Sequence, residues 1–413
     1  MSNTNLLKAF NKAKTNSMSK NQLKPKCYRA RWAMIDPDTW IQNATITISP
    51  IGQIIQCVSN TFDTNCTDLG DGVIIPMFIN AHTHLELSAL KNKVPMDMGF
   101  TAWVQHLVVA RTLTDPQNLI TSAQQACQNL WNNGICAVGE ISSLGLTKDI
   151  LLKSGLYGCW FREYFGNYCI PMDPSDQSDL PHCYVSMAGH APHTTSPELF
   201  RYLKQVAADK PFSVHVSESD VEIEFITKAA GEWAEFLEER GVDYLQWNLP
   251  QKSPIKHLSH IGILDHKTLL VHLLHFDNED LAIIKDQKCP VCVCPRSNYN
   301  LHKRLPDIYQ MQHSDLTVCL GTDSLASVKS LSIWDEVQYI AKHFPNISPK
   351  DILKMATISG ANALGLGNQL GSLSKGYQGL FQYVPIEGNT PEVLENQLVY
   401  GGFSVNDIQI FRN

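Results

Sequence analysis

Eight short apolar segments recur between residues 73 and 323, and longer amphipathic segments separate most of them. Short apolar runs are typical of strands buried on both faces, and the amphipathic stretches are typical of helices. Their alternation predicts βα units and a parallel sheet. Eight such strands in about 250 residues predict an α/β protein with a (β/α)8 TIM barrel. The predicted strands are 73–80, 135–141, 157–165, 183–190, 212–218, 268–275, 289–294 and 316–323.

The two ends of the chain have a different pattern. Residues 27–71 alternate apolar and polar positions between turn residues, and residues 370–413 return to short strand-like runs punctuated by glycine. We expect both stretches to pair into one small β domain beside the barrel, which takes residues 72–369. Residues 1–26 contain six lysines and no acidic residue, and we expect them to form a flexible N-terminal extension.

Charge and composition argue against several classes of protein. The net charge of −7 argues against a general nucleic-acid or anionic-membrane surface, and no stretch approaches the ~18 apolar residues of a membrane span. The twelve cysteines are scattered, with several in apolar runs such as VCVC at 291–294, unlike a secreted disulfide framework. We therefore expect a cytoplasmic protein with a small-molecule substrate and no nucleic-acid or membrane partner. We also expect Cys289 and Cys292, which have C-x-x-C spacing, to be part of the core.

Histidines and acidic residues fall at the ends of four predicted strands. The first strand ends in an H-x-H pair, whose side chains share one side of an extended chain because side chains alternate. In a parallel barrel, reactive side chains gather at the carboxyl ends of the strands. Imidazole and carboxylate groups together can form a catalytic site of the zinc type. The residues concerned are His82, His84, His215, Glu218, His272 and Asp323. We expect seven other histidines to serve packing or solubility, namely His106, His257, His260, His266, His302, His313 and His343.

Five motifs carry a resemblance to a known family: INAHTHLE, HVSES, CPRSN, GTDSLAS and ATISGANALGL. They resemble motifs of the amidohydrolase superfamily, in its mononuclear aminohydrolase branch of deaminases and triazine hydrolases, over about residues 28–410. The resemblance implies a (β/α)8 barrel with a small β-sandwich domain built from both chain ends. It also implies that a homodimer is plausible. Two positions depart from the family pattern, at Met77 and at 376–380, and both lie outside the strand-end residues.

The resemblance also implies a ligand set and an activity. It assigns one divalent metal ion to His82, His84, His215 and Asp323, with zinc the first choice and iron, nickel or manganese as alternatives; the fourth strand lacks the lysine of binuclear members. It assigns a proton shuttle to Glu218 and the orientation of the attacking water to His272. Asp323 beside the metal can accept a proton from that water. The expected reaction is hydrolytic loss of ammonia from an amino-substituted heteroaromatic ring.

The substrate expectation depends on three further positions. His190, in a His-Ala-Pro turn, resembles a substrate contact of deaminases that act on adenosine-like compounds. Glu86 lies in the stretch HLELS (84–88). This stretch looks most like the aminodeoxyfutalosine deaminases of menaquinone biosynthesis, with S-adenosylhomocysteine and methylthioadenosine deaminases as close relatives. Arg162 has a planar fork suited to a substrate carboxylate; a structural ion pair with Glu140 is the alternative.

Two other interpretations of the whole chain stay open. A chlorohydrolase or amidase on the same scaffold would share the metal site, although Glu218 favours deamination because it can protonate a ring nitrogen. A barrel that has lost its activity would be a binding or structural protein, although the complete set of strand-end residues argues against this. Release of ammonia from aminopurines, compared with release of chloride from chlorotriazines, separates the enzyme classes.

Overall fold

The computed structural model describes residues 24–60, 65–167, 178–180 and 182–412. Within these ranges the chain forms an eight-stranded parallel sheet and a separate seven-stranded sheet. This confirms the predicted (β/α)8 barrel with a β domain built from both chain ends. The predicted N-terminal extension lies almost entirely outside the described residues.

Strands and helices alternate through the barrel as the sequence pattern indicates. The strands are β1 (Lys26–Asp36), β2 (Thr39–Ile48), β3 (Ile54–Ser59), β4 (Thr67–Asp68), β5 (Val73–Pro76), β6 (Phe78–Thr83), β7 (Ile135–Ser142), β8 (Tyr157–Tyr164), β9 (Cys183–Gly189), β10 (Phe212–Val216), β11 (Thr268–His272), β12 (Val291–Val293), β13 (Val318–Leu320), β14 (Phe381–Val384) and β15 (Gln409–Phe411). The α-helices are α1 (Phe100–Leu113), α2 (Pro116–Asn132), α3 (Lys148–Ser154), α4 (Pro197–Ala207), α5 (Asp220–Lys228), α6 (Glu232–Glu239), α7 (Pro254–Ile261), α8 (Asn278–Gln287), α9 (Pro295–His302), α10 (Ile308–His313), α11 (Ile333–His343), α12 (Pro349–Ala356), α13 (Ile358–Ala363) and α14 (Pro391–Tyr400). Short 3-10 helices span Leu85–Leu90 and Val405–Asp407.

Several helices begin with the same local signal. A Ser, Thr or Asp side chain accepts a hydrogen bond from a backbone N–H of the first turn, and proline follows at once. Proline suits this position because its missing N–H would have no partner inside the helix. The capping residues are Asp115, Ser196, Ser253, Ser348 and Thr390.

The barrel strands lie side by side in chain order from β6 to β13, and polar contacts between β6 and the segment after β13 close the ring. Thr83 and Asp323 form an isolated parallel bridge. The buried Asn80 side chain donates to Oγ1 of Thr322 at 2.8 Å and accepts from the Thr322 backbone N–H at 3.1 Å. The carbonyl oxygen of His82 accepts from the backbone N–H groups of Thr322 and Asp323 at 3.0 and 3.1 Å. Closure therefore sets the first and eighth strand ends beside each other.

The segment 73–80, predicted as a single strand, forms two strands separated at Met77. β5 pairs with β1 and β14 in the terminal sheet, whereas β6 pairs with β7 in the barrel. One apolar run therefore joins the two sheets, and periodicity cannot show where such a run changes partners. β5 lies within the 72–369 segment assigned to the barrel, and the domain limits themselves stay a prediction.

The terminal sheet has the order β15-β14-β5-β1-β2-β3, and β4 also pairs with β1. Its core contains Ile46, Ile74 and Phe381, all fully buried. A disulfide joins Cys27 in β1 to Cys66, which the scattered cysteine pattern does not predict. The alternating pattern of both chain ends thus produces one sheet, because strands from each end flank β5.

The other described cysteines are free, and most are buried in the barrel. Burial raises the pKa of the Cys289 thiol to about 12 and that of the Cys294 thiol to about 11. Cys289 and Cys292 are both free and buried, so their C-x-x-C spacing belongs to the core as expected. Among the described helices, none has the length and apolar character needed to cross a membrane.

The closing contacts predict a stability effect at Asn80. Asn80→Ala removes two buried hydrogen bonds, so we expect the free energy of unfolding to fall by about 1–3 kcal/mol. Urea denaturation followed by circular dichroism measures this change. The matched control is Asn396→Ala on the exposed surface of α14, which we expect to change stability by less than about 0.5 kcal/mol. Equal midpoints for the two variants would contradict a role for Asn80 in closure.

Candidate active site

Four of the predicted strand-end residues meet at one point inside the barrel mouth. Nitrogen atoms of His82, His84 and His215 all lie within 4.8 Å of one another. Nε2 of His82 is 3.2 Å from Nε2 of His215. Oδ1 of Asp323 lies 3.6 Å from Nε2 of His84 and 3.9 Å from Nε2 of His82. The structure therefore brings together the three imidazoles and the carboxylate that the sequence singles out.

The backbone turns sharply where three of these strands end. Ser217, His272 and Asp323 have φ values of 56°, 79° and 60°. These values lie in the left-handed region, which residues other than glycine rarely adopt. Such conformations cost free energy and persist where the surrounding structure holds them. At each of these three strand ends, this conformation turns the backbone away from the direction of the strand.

Asp323 is oriented by two serine hydroxyls. Ser297 and Ser327 both donate to Oδ2, at 2.5 and 2.9 Å. Because Oδ2 is already hydrogen-bonded, Oδ1 is the oxygen that faces the imidazoles. The carboxylate can therefore present one defined oxygen atom to a ligand.

His215 is oriented in a similar way by the strand next to it. Its Nδ1 lies 3.0 Å from the carbonyl oxygen of His190, and since a carbonyl can only accept, Nδ1 carries the proton and Nε2 keeps a free lone pair. Burial is the main cause that lowers the pKa of His84 and of His215 to about 3. Burial and the neighbouring imidazoles also lower the pKa of His82. All three imidazoles are therefore neutral at neutral pH.

Glu218 and His272 lie beside this cluster. Oε1 of Glu218 is 3.6 Å from Nε2 of His272 and 3.0 Å from Nε2 of His302. Burial raises the pKa of Glu218, but the two imidazoles outweigh burial and leave this pKa below its usual value. Asn298 Nδ2 donates to Nδ1 of His272 at 2.9 Å, so Nε2 of His272 carries the proton. At neutral pH this corner holds an ionised carboxylate beside an N–H donor.

His302 and Glu222 are functional neighbours that sequence analysis missed. His302, expected to serve packing or solubility, contacts Glu218 from the end of α9. Glu222 is fully buried and accepts from the backbone N–H groups of Ser217 and Glu218, at 2.9 and 2.8 Å. The spacing of Ser219 and Glu222 is the S-x-x-E of a helix N-terminus, the one sequence signal that could have pointed to Glu222. The Glu222 carboxylate fixes the turn that carries Glu218.

The three predicted substrate contacts fall in different places. His190 lines the cavity next to the cluster, with Nδ1 2.7 Å from Oγ1 of Thr194. Glu86 instead accepts hydrogen bonds from Ser142 Oγ and from the backbone N–H groups of residues 144 and 146. Arg162 donates to the carbonyls of residues 142 and 143. Neither Glu86 nor Arg162 is among the described residues that line the cavity. Their hydrogen bonds instead hold the loop after β7.

Glu140, the alternative partner of Arg162, is buried on another side of the same loop. Its carboxylate accepts from the Leu85 backbone N–H at 2.9 Å and from Thr147 Oγ1 at 3.0 Å. Burial raises the pKa of Glu140 well above its usual value. These contacts tie the loop after β7 to the turn that follows His84.

A cavity of about 430 Å³ opens above the cluster. His84, His215, Glu218, His272 and Asp323 line its floor, and its walls are mostly apolar. Helices α1 and α6 supply many wall residues, among them Trp103. Buried Glu163 also lines the cavity; burial raises its pKa to about 8, with Arg111 and Arg162 partly offsetting this.

This arrangement suits the binding of a divalent cation and, beside it, of a small molecule that undergoes hydrolysis. Three neutral imidazole nitrogens and one carboxylate oxygen are the donors that catalytic zinc-type sites use. An ionised glutamate and an N–H donor stand next to them, at the floor of an apolar cavity large enough for a small molecule. Charge, donor set and shape are therefore consistent with a hydrolytic site.

Comparison with known proteins identifies a family from the sequence and a shared fold from solved structures. The sequence model of the amidohydrolase family matches residues 181–402. Aminodeoxyfutalosine deaminase of Deinococcus radiodurans is 26% identical over 317 residues, which is 71% of this chain and 73% of the relative. A 5-methylthioadenosine/S-adenosylhomocysteine deaminase of Thermoanaerobacter pseudethanolicus is 26% identical over 341 residues, 74% of this chain and 71% of the relative.

Two solved structures show how widely the fold is shared. Helicobacter pylori aminofutalosine deaminase in complex with methylthio-coformycin has a TM-score of 0.76 and 21% identity, and the match covers 93% of this chain and 100% of that one. Atrazine chlorohydrolase of Arthrobacter aurescens, complexed with zinc, has a TM-score of 0.74 and 17% identity over 92% of each chain. Because the family model spans more than half of its length, the chain belongs to the amidohydrolase family and is a hydrolase that acts on carbon–nitrogen bonds, the enzyme class expected from its sequence.

Proposed function

We propose that this protein is a metal-dependent deaminase of adenine nucleosides that releases ammonia by hydrolysis. The observation that carries the proposal is Glu218, ionised and buried beside His272 at the floor of an apolar cavity. The substrate of first choice is aminodeoxyfutalosine, which would place the enzyme in menaquinone biosynthesis. S-adenosylhomocysteine and methylthioadenosine are the alternatives, and the names of the relatives support both groups.

We propose that His82, His84, His215 and Asp323 hold one divalent cation, with zinc the first choice among zinc, iron, nickel and manganese. The fit rests on the donors themselves, because three neutral imidazoles and one aligned carboxylate oxygen converge without a cationic side chain among them. When bound, such a cation supplies a Lewis acid that acidifies the attacking water.

The side chains around that position divide the proton transfers among them. His272 Nε2–H can hold the water oxygen by a hydrogen bond, and Glu218 can take the first proton of the water and pass it to a ring nitrogen. The hydroxyl group adds to the ring carbon that carries the amine. Asp323 can accept the second proton and return it to the amine, which leaves as ammonia. Every proton lost by the water is thereby accounted for.

The proposed compartment is the cytoplasm. The support is the set of free, mostly buried cysteines, since free thiols are typical of reducing surroundings. The Cys27–Cys66 disulfide is the exception, and neither cysteine lines the cavity. A homodimer stays a prediction from the family resemblance.

The ligand assignment predicts loss of metal together with loss of activity. His82→Ala and Asp323→Ala each remove one donor, so we expect metal content to fall well below that of the wild type and ammonia release to be abolished. Elemental analysis of purified protein and an ammonia assay measure the two effects. His106→Ala, an exposed histidine on α1, is the control and should keep both. Full metal content with wild-type turnover in either test variant would disprove the assignment.

The shuttle assignment predicts a different result for Glu218→Gln. The amide has the shape of the carboxylate but cannot carry a proton, so we expect kcat to fall about 10²–10⁴-fold with metal content unchanged. Glu224→Gln, on the next helix and outside the cavity lining, is the control. An unchanged kcat for Glu218→Gln would show that another group moves the proton.

The proposed substrate class is tested by a panel. We expect kcat/KM for aminodeoxyfutalosine to exceed that for S-adenosylhomocysteine, methylthioadenosine and adenosine, with guanine and cytosine inert and no chloride released from chlorotriazines. The measurement is ammonia or chloride release by metal-loaded enzyme. A preference for free bases would overturn the nucleoside class, and chloride release without ammonia release would favour the chlorohydrolase alternative.

A further inference from the structure

Two helices give the cavity walls a shared pattern. Each lines the cavity with apolar side chains three or four residues apart, a spacing that keeps them on one face of a helix, and each pattern ends in an arginine near the carboxyl end of its helix. From α1 the lining residues are Phe100, Trp103, Val104, Leu107, Val108 and Arg111, and from the α6 segment they are Trp233, Phe236, Leu237 and Arg240. The cavity therefore combines apolar walls with two guanidinium groups.

Arg111 lies half-buried in the last turn of α1. Its Nη1 donates to Oγ of Ser143 at 3.3 Å, and Ser143 lines the same cavity. A guanidinium has five N–H donors, and among the described residues Ser143 is its single hydrogen-bond partner. It forms no ion pair with a carboxylate of the described residues, although its charge lowers the pKa of the nearby Glu163 carboxyl against the larger effect of burial. The bond to Ser143 uses one of the five donors, so the guanidinium can still donate hydrogen bonds to a ligand.

Arg240 is held in another way, by stacking. Its guanidinium carbon lies 3.6 Å from the centre of the Phe236 ring, a cation–π contact that aligns the planar fork with the cavity wall. It is exposed, and no ion pair joins it to a carboxylate in the part of the chain that the structure describes. Stacking leaves the edge of the guanidinium free, and this edge is the part that binds a carboxylate in bidentate fashion.

We propose that Arg111 and Arg240 form a carboxylate subsite, and that the cavity selects an adenine nucleoside whose 5′ extension is apolar and ends in a carboxylate. This inference rests on the proposed deaminase function and narrows its substrate class. Methylthioadenosine has no anion, so it would supply no carboxylate to either guanidinium. S-adenosylhomocysteine has an ammonium group beside its carboxylate, which two arginines repel. An aromatic acid matches both the apolar walls and the charge.

The test compares an acid with its own ester. The probes are aminodeoxyfutalosine, its carboxylate methyl ester and methylthioadenosine, assayed with wild type, Arg111→Met, Arg240→Met, the double variant and the control Arg31→Met on β1 of the terminal sheet. We expect the wild type and the control to favour the acid over the ester by about 10–100-fold in kcat/KM. Each single variant should lose most of this preference through KM, and the double variant should bring the ratio close to one.

A binding measurement separates the subsite from the chemistry. Trp103 and Trp233 line the cavity, so tryptophan fluorescence can report binding of the deaminated acid, and we expect its Kd to rise about tenfold or more in each arginine variant. Equal kcat/KM for acid and ester in the wild type, or a ratio that the variants leave unchanged, would overturn the subsite while the deaminase function stands. No ammonia release from any probe, with arginine-dependent binding of the acid, would overturn the deaminase and support the subsite.

Discussion

The hydrogen bonds that close the barrel determine where the site chemistry can occur. The carbonyl oxygen of His82 accepts from the backbone N–H groups of Thr322 and Asp323, so the first and eighth strands cannot separate without losing these bonds. Closure places the Asp323 carboxylate beside His82 and His84. It also buries the imidazoles, and burial is what keeps them neutral and able to donate a lone pair. Fold and donor chemistry therefore share one structural cause.

Asp323, His215 and Glu218 are each oriented by a neighbour on another part of the barrel mouth. Serine hydroxyls bind the outer oxygen of Asp323, a backbone carbonyl orients His215, and Glu222 holds the turn that carries Glu218. Partners of this kind set the tautomer and the direction of a ligand and commonly affect metal sites almost as strongly as the ligands. The segments between the strands therefore fix side-chain orientations that the strands alone do not determine.

The sequence predicts the parts of the site that depend on regular geometry. Alternation along a strand and the rule that barrel sites lie at strand ends were enough to bring His82, His215 and Asp323 together. His302 and Glu222 were missed because their contacts depend on how helices pack over the barrel, which periodicity does not record. Glu86 and Arg162 lie next to strand ends, yet their side chains turn into the loop after β7. The Cys27–Cys66 disulfide depends on a strand pairing that spacing alone does not reveal.

Under the proposed function, the floor of the cavity carries out catalysis and its walls recognise the substrate. Its floor is built by barrel strands whose positions closure fixes, whereas its walls come from α1 and α6, which lie outside the barrel sheet. Changes in those helices can alter the shape and charge of the walls without moving the floor. The fold shared with an atrazine chlorohydrolase at a TM-score of 0.74 fits this division, because a fold constrains the scaffold and not the substrate. Specificity in this chain should therefore be sought in residues such as Arg111 and Arg240, rather than among the strand-end residues.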